Sequence, residues 1–434
     1  MGPNIPKRLS AAILNSLQAG VVPRVGLEYV AVGRKREIET VLADLENISQ
    51  GAAAFRFVTG RYGSGKSFFL QAIRNFAMEK DFLVSDADLS PEKRLSGSNN
   101  QGLETYRELM ERLSTKVRPN GGALESMLQK WINAVKGDLI NKEGLLPSED
   151  NFDSRVETKI FETLGEMENF AHGFDFAAAV SVYYRSYVEG DDKKKQASLR
   201  WLRGEYSTKT EARALLPVGE IITDENWYEY IRLFAAFSSR IGFQGFLVFI
   251  DECVNLYKIA NRQSRENNYE KLLAMFNDCL QGKAENLGLF LAGTSQFIED
   301  ERRGLASYAA LKSRLADNRF VREGFSDSGS PVIRLDQLSR EELYVLLERL
   351  AGIHAGHFEY EQRLKDRELG AFLELALSVP GADEFLTPRE ITRDFLGLLN
   401  IMKDDPSALF DDIVRREEYS APSYGESMYA DFEL

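Results

Sequence analysis

Residues 58–73 of this 434-residue chain read VTGRYGSGKSFFLQAI. Within them Gly60, Arg61, Tyr62, Gly63, Ser64, Gly65, Lys66 and Ser67 have the spacing G-x-x-x-x-G-K-[ST]. Glycines let successive backbone N–H groups turn into one concavity with no Cβ in the way, and such a concavity binds phosphate. Lys66 is the side chain to reach β- and γ-phosphates, and the Ser67 hydroxyl is the Mg²⁺ ligand. The context is right for that chemistry. An apolar strand pattern runs over 53–58, and from Phe68 onward the apolar residues have helical spacing, which supplies a positive helix N-terminus behind the loop. The reading is an ATP site with Mg²⁺ as its metal.

A phosphate loop needs an acid on a neighbouring strand. GFLVFIDE, residues 245–252, is a continuous apolar run of the kind that is buried on both faces of a parallel sheet, and it ends in Asp251 and Glu252. Asp251 would hold Mg²⁺ through water, and Glu252 would polarise the attacking water as a general base. A further strand, LGLFLAGTS (287–295), ends in hydroxyls, of which Thr294 or Ser295 could sense the γ-phosphate. Arg314, with Arg319 second, lies where a cation could face the nucleotide of a neighbouring subunit; a plain surface arginine is the competing reading. Past residue 331, Ser339 and Glu342 have the spacing of a capping box before an amphipathic run. Thr387 and Pro388 read as the N-cap and first position of another helix. That places Arg389 in its first turn, where the helix dipole disfavours a cation unless an anion compensates.

These segments require a particular scaffold. The expected fold is α/β: a P-loop NTPase with a parallel sheet and flanking helices, a nucleotide-binding domain over 1–330, a helical lid domain over 331–410 and an acidic tail over 411–434. The long stretch between the loop and Asp251 contains an insertion at about 100–235. Its apolar pattern is helical over 156–167, 176–187 and 226–241. Residues 177–216 carry eight basic and five acidic side chains among Tyr183, Tyr184, Tyr187 and Trp201. Aromatics beside cations suit nucleic acid, yet tyrosines at helical spacing also pack cores, and both readings stay open. Asp86 and Asp88, after a short strand pattern, read as strand-end acids.

Composition bounds the rest. Net charge is −13, which argues against a protein that coats nucleic acid non-specifically. Residues 1–36 carry six basic side chains and one acidic, and the last 24 carry seven acidic and two basic. Two cysteines fit a reducing cytoplasm, and with three histidines they build no evident zinc site. No apolar run approaches the ~20 residues of a membrane span. The N-terminal segment lacks a signal-peptide cleavage pattern.

Val32-Gly33-Arg34-Lys35-Arg36-Glu37-Ile38 resembles the box that precedes the phosphate loop in replication-initiator AAA+ ATPases. That resemblance implies a place near the adenine for Gly33 and Arg34. With FLVFIDE, AGTS and TPRE, the likeness to the initiator-like AAA+ branch covers about 25–90 and 240–400. A fuller resemblance, spanning nearly the whole chain, is to the BrxD-like ATP-binding proteins of BREX-type bacterial anti-phage systems. It is carried by SLQAGVVPRVGLEYVAVGRKREIE, GRYGSGKSFFLQAIRNFAMEKDFLVSDADLSPEKRL, GLETYRELMERLSTK, LRWLRGE, FLVFIDECVNLYKI, LAGTSQFIEDERRGLASYAALKSRL and TPREITRDFLGLLN. It implies a P-loop ATPase of prokaryotic defence that works with other proteins of its system, such as a helicase. A homo-oligomer is a separate expectation, and DNA is a possible further partner that the sequence leaves open, as it does the rival reading of an ATP-gated switch that recruits an effector.

Overall fold

The structure, a computed structural model, describes residues 5–316, 327–378 and 387–414. Arg319 and the tail beyond 414 lie outside the described residues. Packing divides the chain into two compact units. One comprises Arg36–Thr59 and Ile73–Arg334; the other comprises Met1–Lys35, Gly60–Ala72 and Leu335–Leu434.

Among the described residues the larger unit is built on five strands, β1 (Ala53–Thr59), β2 (Leu83–Asp88), β3 (Phe246–Asp251), β4 (Leu287–Gly293) and β5 (Val332–Arg334), in the order β2-β3-β4-β1-β5. Every pairing is parallel, as expected of the α/β class. The apolar run of β3 is buried from Phe246 to Ile250, and β4 is buried throughout, because helices cover both faces of a parallel sheet. Register brings Thr59 opposite Gly293 and Asp88 opposite Asp251, so the ends of four strands form one carboxyl edge.

The connection from β2 to β3 is long and helical: Gln101–Glu111, Ala123–Glu143, Phe152–Met167, Gly173–Glu189, Asp192–Leu202, Lys209–Arg213 and Trp227–Arg240. Phe152–Met167 and Gly173–Glu189 contain the helical patterns expected at 156–167 and 176–187, and Trp227–Arg240 with its two caps matches that at 226–241. The aromatics of this region make its core. Trp131 and Phe176 meet Phe237 edge to face, with ring centroids 5.2 and 5.3 Å apart, and Trp201 meets Tyr230 at 5.5 Å. Tyr183, Tyr184 and Trp201 are buried, so their rings are not available to stack on bases, and the core-packing reading holds for them.

The smaller unit has its own core. Ile13 and Leu14 of the helix Lys7–Gln18 join Leu347 and Leu350 of Arg340–Phe358, Phe372 of Asp366–Leu377, and Phe395 and Leu399 of Pro388–Asp404. The capping box at Arg340–Phe358 forms as its sequence predicts. Ser339 N donates to Glu342 Oε2 at 2.9 Å, and Glu342 N donates to Ser339 Oγ at 3.2 Å. At Pro388–Asp404 the Glu390 carboxylate accepts from Thr387 N at 2.9 Å and from the Thr387 hydroxyl. No helix among the described residues is long and apolar enough to cross a membrane.

Candidate nucleotide site

The phosphate loop leaves β1 at Thr59 and runs into the helix Lys66–Glu79. Two of its glycines have left-handed backbone, Gly63 at φ +76° and Gly65 at φ +88°, a conformation that costs any residue with a Cβ. Gly60 is required for a different reason. A Cβ there would lie 2.4 Å from Ser64 Oγ and 2.5 Å from Leu335 O. At Gly63 a Cβ would lie 2.1 Å from Thr387 Cγ2, so the loop rests on the capping residue of the helix that carries Arg389. At Gly65, by contrast, no described protein atom would come within 4 Å. The loop therefore packs tightly on one side and is open at Gly65, the shape of a cradle for an anion.

The side chains around it agree with that use. Lys66 Nζ donates to Gly60 O at 3.0 Å and to Arg61 O at 2.9 Å, which holds the ammonium across the loop. Phe69 N donates to Gly65 O at 2.8 Å, the first turn of the helix behind the loop. Ser64 is buried and its Oγ has no hydrogen-bond partner among the described residues, while Ser67, Arg61 and Tyr62 are exposed. Phe68 is half-buried against the apolar core of the smaller unit. Arg34 donates to Ser64 O at 2.9 Å and to Asp336 O. A Cβ at Gly33, whose φ is +64°, would lie 2.3 Å from Glu342 Oε1. Arg389 is exposed, with its Cδ 3.4 Å from the position of a Gly20 Cβ. Within this unit the structure thus brings Gly33, Arg34, the loop and the helix of Arg389 together. Residues and backbone of this kind fit a nucleoside triphosphate: one open cradle, one ammonium and two guanidinium groups.

The carboxyl edge of the larger unit holds the other candidates. Asp251 is half-buried and accepts from Glu252 N at 2.7 Å through Oδ1. Glu252 is exposed and left-handed at φ +57°, a rare conformation for a residue with a Cβ and one that accumulates at functional sites. Cys253 N donates to Ala292 O at 2.9 Å and Asn255 Nδ2 to Leu89 O at 2.8 Å, which fixes the turn between its two neighbouring strands. Burial pushes the Cys253 thiol well up, and the charges of Asp251 and Glu252 add to the effect. Thr294 caps the helix Ser295–Glu299, its Oγ1 accepting from Phe297 N at 3.3 Å, so its O–H remains a donor. Arg314, on Ala309–Leu315, donates from Nε to Asn277 Oδ1 at 3.1 Å and from Nη1 to Ala310 O at 2.8 Å.

Sequence reading took Asp86 and Asp88 as strand-end acids, which they are, but gave no partner for either. Asp86 and Asp88 are held by Arg74 and Arg112, and Arg112 stands 24 residues beyond Asp88 on the far side of a helix. No spacing rule links them, although the alternation of two acids at a strand end does place both on one face of the sheet. The contact of Gly63 with Thr387 was equally invisible, since it joins residues distant in the chain.

No curated protein matches the chain. A family model does, over residues 5–418, and its description is BREX system ATP-binding protein BrxC/D. That match spans nearly all of the sequence, and with the glycine cradle in place the chain belongs to the BREX system ATP-binding protein BrxC/D family.

Proposed function

We propose that the protein is a Mg²⁺-dependent ATPase of AAA+ type that couples ATP binding and hydrolysis to binding, loading or remodelling of DNA during phage defence. It would do so in the cytoplasm, as a homo-oligomer working with other proteins of its system, a helicase among them. The observation that carries the reading is the cradle itself: left-handed Gly63 and Gly65, Lys66 across the loop, and a helix N-terminus behind it. The order β2-β3-β4-β1-β5 supports the AAA+ assignment, because the strand that ends in Asp251 and the strand that leads into the loop flank one central strand. On this reading 1–330 is the nucleotide-binding domain, 331–410 the lid and 411–434 the tail.

The roles follow from chemistry. Backbone N–H groups of Gly63 to Ser67 and the Lys66 ammonium bind the phosphates. Ser67 and Asp251 would hold Mg²⁺, which when bound would supply neutralisation of the phosphate charge. Glu252 orients and deprotonates the attacking water, Thr294 donates to the γ-phosphate, and Arg389 adds a second cation. Arg314 is the candidate to act on a neighbouring subunit's nucleotide.

A second reading is an ATP-gated switch that oligomerises and recruits an effector with little turnover. The engagement of Arg314 by Asn277 and Ala310 favours it, since an arginine acting in trans would have to leave those partners. Steady-state hydrolysis, with and without double-stranded DNA, separates the two. Turnover that DNA raises and Lys66→Ala removes supports the ATPase. ATP binding without turnover under any DNA condition favours the switch. Glu252→Gln traps ATP on either reading, but only on the first does it also strengthen ATP-dependent DNA binding.

A further inference from the structure

Six charged side chains close on one another beside Asp251. Arg112 lies within 2.9 Å of Asp86 Oδ2, 2.9 Å of Asp88 Oδ2 and 2.7 Å of Glu108 Oε1. Arg74 Nε donates to Asp86 Oδ1 at 2.8 Å, and Lys93 Nζ forms an ion pair with Glu108 Oε2 at 3.0 Å. Three cations thus face three carboxylates, and the group is neutral as a whole. Glu108 and Arg74 are buried, and Asp86 nearly so, which raises the cost of leaving any member unmatched.

The place of this group gives it a consequence. Asp88 is in register with Asp251 on the adjacent parallel strand. Strands at about 4.8 Å separation carry side chains of the same register on the same face. Asp88 is therefore a second carboxylate next to the proposed Mg²⁺ ligand, at the rim of the sheet, and half of it is exposed. Its charge is taken up by Arg112. Burial alone would lower the Arg112 pKa, but Asp88, Glu108 and Asp86 carry it above the ordinary arginine range, so the cation persists at any working pH. Arg112 caps the helix Gln101–Glu111, which is tied to the end of the helix Asp192–Leu202, far along the long connection, through Tyr106 OH on Leu202 O at 2.6 Å and Arg107 Nε on Gly204 O at 2.8 Å.

We propose that Arg112 is a positioning residue for Mg²⁺: by holding Asp88, it keeps that carboxylate from competing with Asp251 for the metal. This rests on the ATPase reading. Without the guanidinium, Asp88 becomes a like charge about 5 Å from Asp251, which draws the cation more strongly but into the wrong place.

The test is a double-mutant cycle on the full-length protein, read as turnover against Mg²⁺ concentration at fixed ATP and, with a non-hydrolysable ATP analogue, as the Mg²⁺ concentration that half-maximally raises the melting temperature. Arg112→Gln is expected to lower kcat about tenfold while lowering the Mg²⁺ concentration for half-maximal turnover about threefold. Asp88→Asn alone leaves both values within about twofold, and adding it to Arg112→Gln restores both. A purely structural arginine would lower kcat and melting temperature with no fall in the Mg²⁺ requirement and no rescue, and that result overturns the proposal. Arg112→Lys, which keeps the charge but not the fork, repeats the test with smaller amplitude if Arg112→Gln does not fold. Lys66→Ala run in parallel separates the two levels. If it hydrolyses ATP as the wild type does, or the wild type does not hydrolyse ATP at all, the ATPase reading fails and this inference falls with it. If turnover depends on Lys66 but the cycle shows no coupling between Arg112 and Asp88, only the inference fails.

Discussion

At the scale of single residues, the loop glycines separate two demands that a sequence motif merges. Gly63 and Gly65 are both left-handed, so alanine at either position costs roughly 1 kcal/mol of backbone strain. Only Gly63 also meets a side chain, with Thr387 Cγ2 2.1 Å from a Cβ built there. Gly63→Ala is therefore expected to lower the melting temperature, by several degrees more than Gly65→Ala does, because something buried has to move. Gly65→Ala should keep most of the melting temperature and lose the rise that ATP and Mg²⁺ confer, since its Cβ enters the open side of the cradle. Thermal melting of the two variants with and without nucleotide checks both halves, and the reverse ranking would show that the open side is not where phosphate binds. The cysteines make a simpler case. Cys253 and Cys279 are buried, and burial pushes Cys279 up to about 12. Neither forms a thiolate at neutral pH, so the folded protein should react with a disulfide reagent only in denaturant. Rapid labelling of one thiol under native conditions would show that the turn after β3 opens.

At the scale of elements, legibility in the sequence followed the range of the interaction involved. The loop, β3 and the caps at Ser339 and Thr387 were readable because each is written in contiguous residues: glycine spacing, an unbroken apolar run, and a hydroxyl three residues before a glutamate. The aromatic residues of 177–216 were ambiguous because period 3.6 shows that one face is shared without showing what covers it. The network around Arg112 and the seat of Gly63 on Thr387 were unreadable because they join residues distant in sequence through tertiary packing. His354 and His357, one turn apart on Arg340–Phe358, build no zinc site by the sequence reading, and His354 is indeed a core residue, though which partners satisfy it could not be read from the sequence. Its Nε2 faces Asn400 Oδ1 at 3.1 Å, so that nitrogen carries the proton, and Nδ1 at 2.8 Å accepts from Tyr360 OH. Burial lowers its pKa below 6.5; Asn400 opposes that, Lys403 and His357 push the same way, and Asp404 opposes. The sign is then fixed. Above pH 6.5 the folded and unfolded states are both neutral, and as pH falls through 6.5 the unfolded chain takes the proton first, so stability falls. Melting of the wild type should drop more between pH 7 and 5 than that of His354→Gln, and equal slopes would refute a buried neutral imidazole.

At the scale of the whole molecule, charge decides where a polyanion could lie. The net charge of −13 means that any DNA-binding surface has to be a local exception. The basic stretch 177–216 looked like one in the sequence, and the structure shows how its cations are used. Arg185 pairs with Glu157 at 3.2 Å, Lys195 with Asp192 at 2.9 Å and Arg200 with Glu211 at 3.0 Å. Lys194 and Lys209 have longer pairs with Asp191 and Glu220, and Arg213 donates to Val218 O and Gly219 O. With Tyr183, Tyr184 and Trp201 buried as well, most of the charge and aromatic surface of this segment is already engaged, and the exposed Lys193 and half-buried Tyr187 are what remains. A cation already paired with a carboxylate gains little by moving to a phosphate, because it leaves the carboxylate beside the same polyanion. Replacing Lys193, Lys194 and Lys195 together by Gln is therefore expected to change DNA affinity less than about twofold and to leave its salt dependence in place. The salt dependence is the sharper measurement. Three lost phosphate contacts would lower the slope of log K against log salt by about 2.7, whatever the affinity at one salt concentration. An unchanged slope directs the search for a DNA surface away from the long connection and toward the rest of the molecule, whereas a loss of that size would make 177–216 the interface despite its ion pairs.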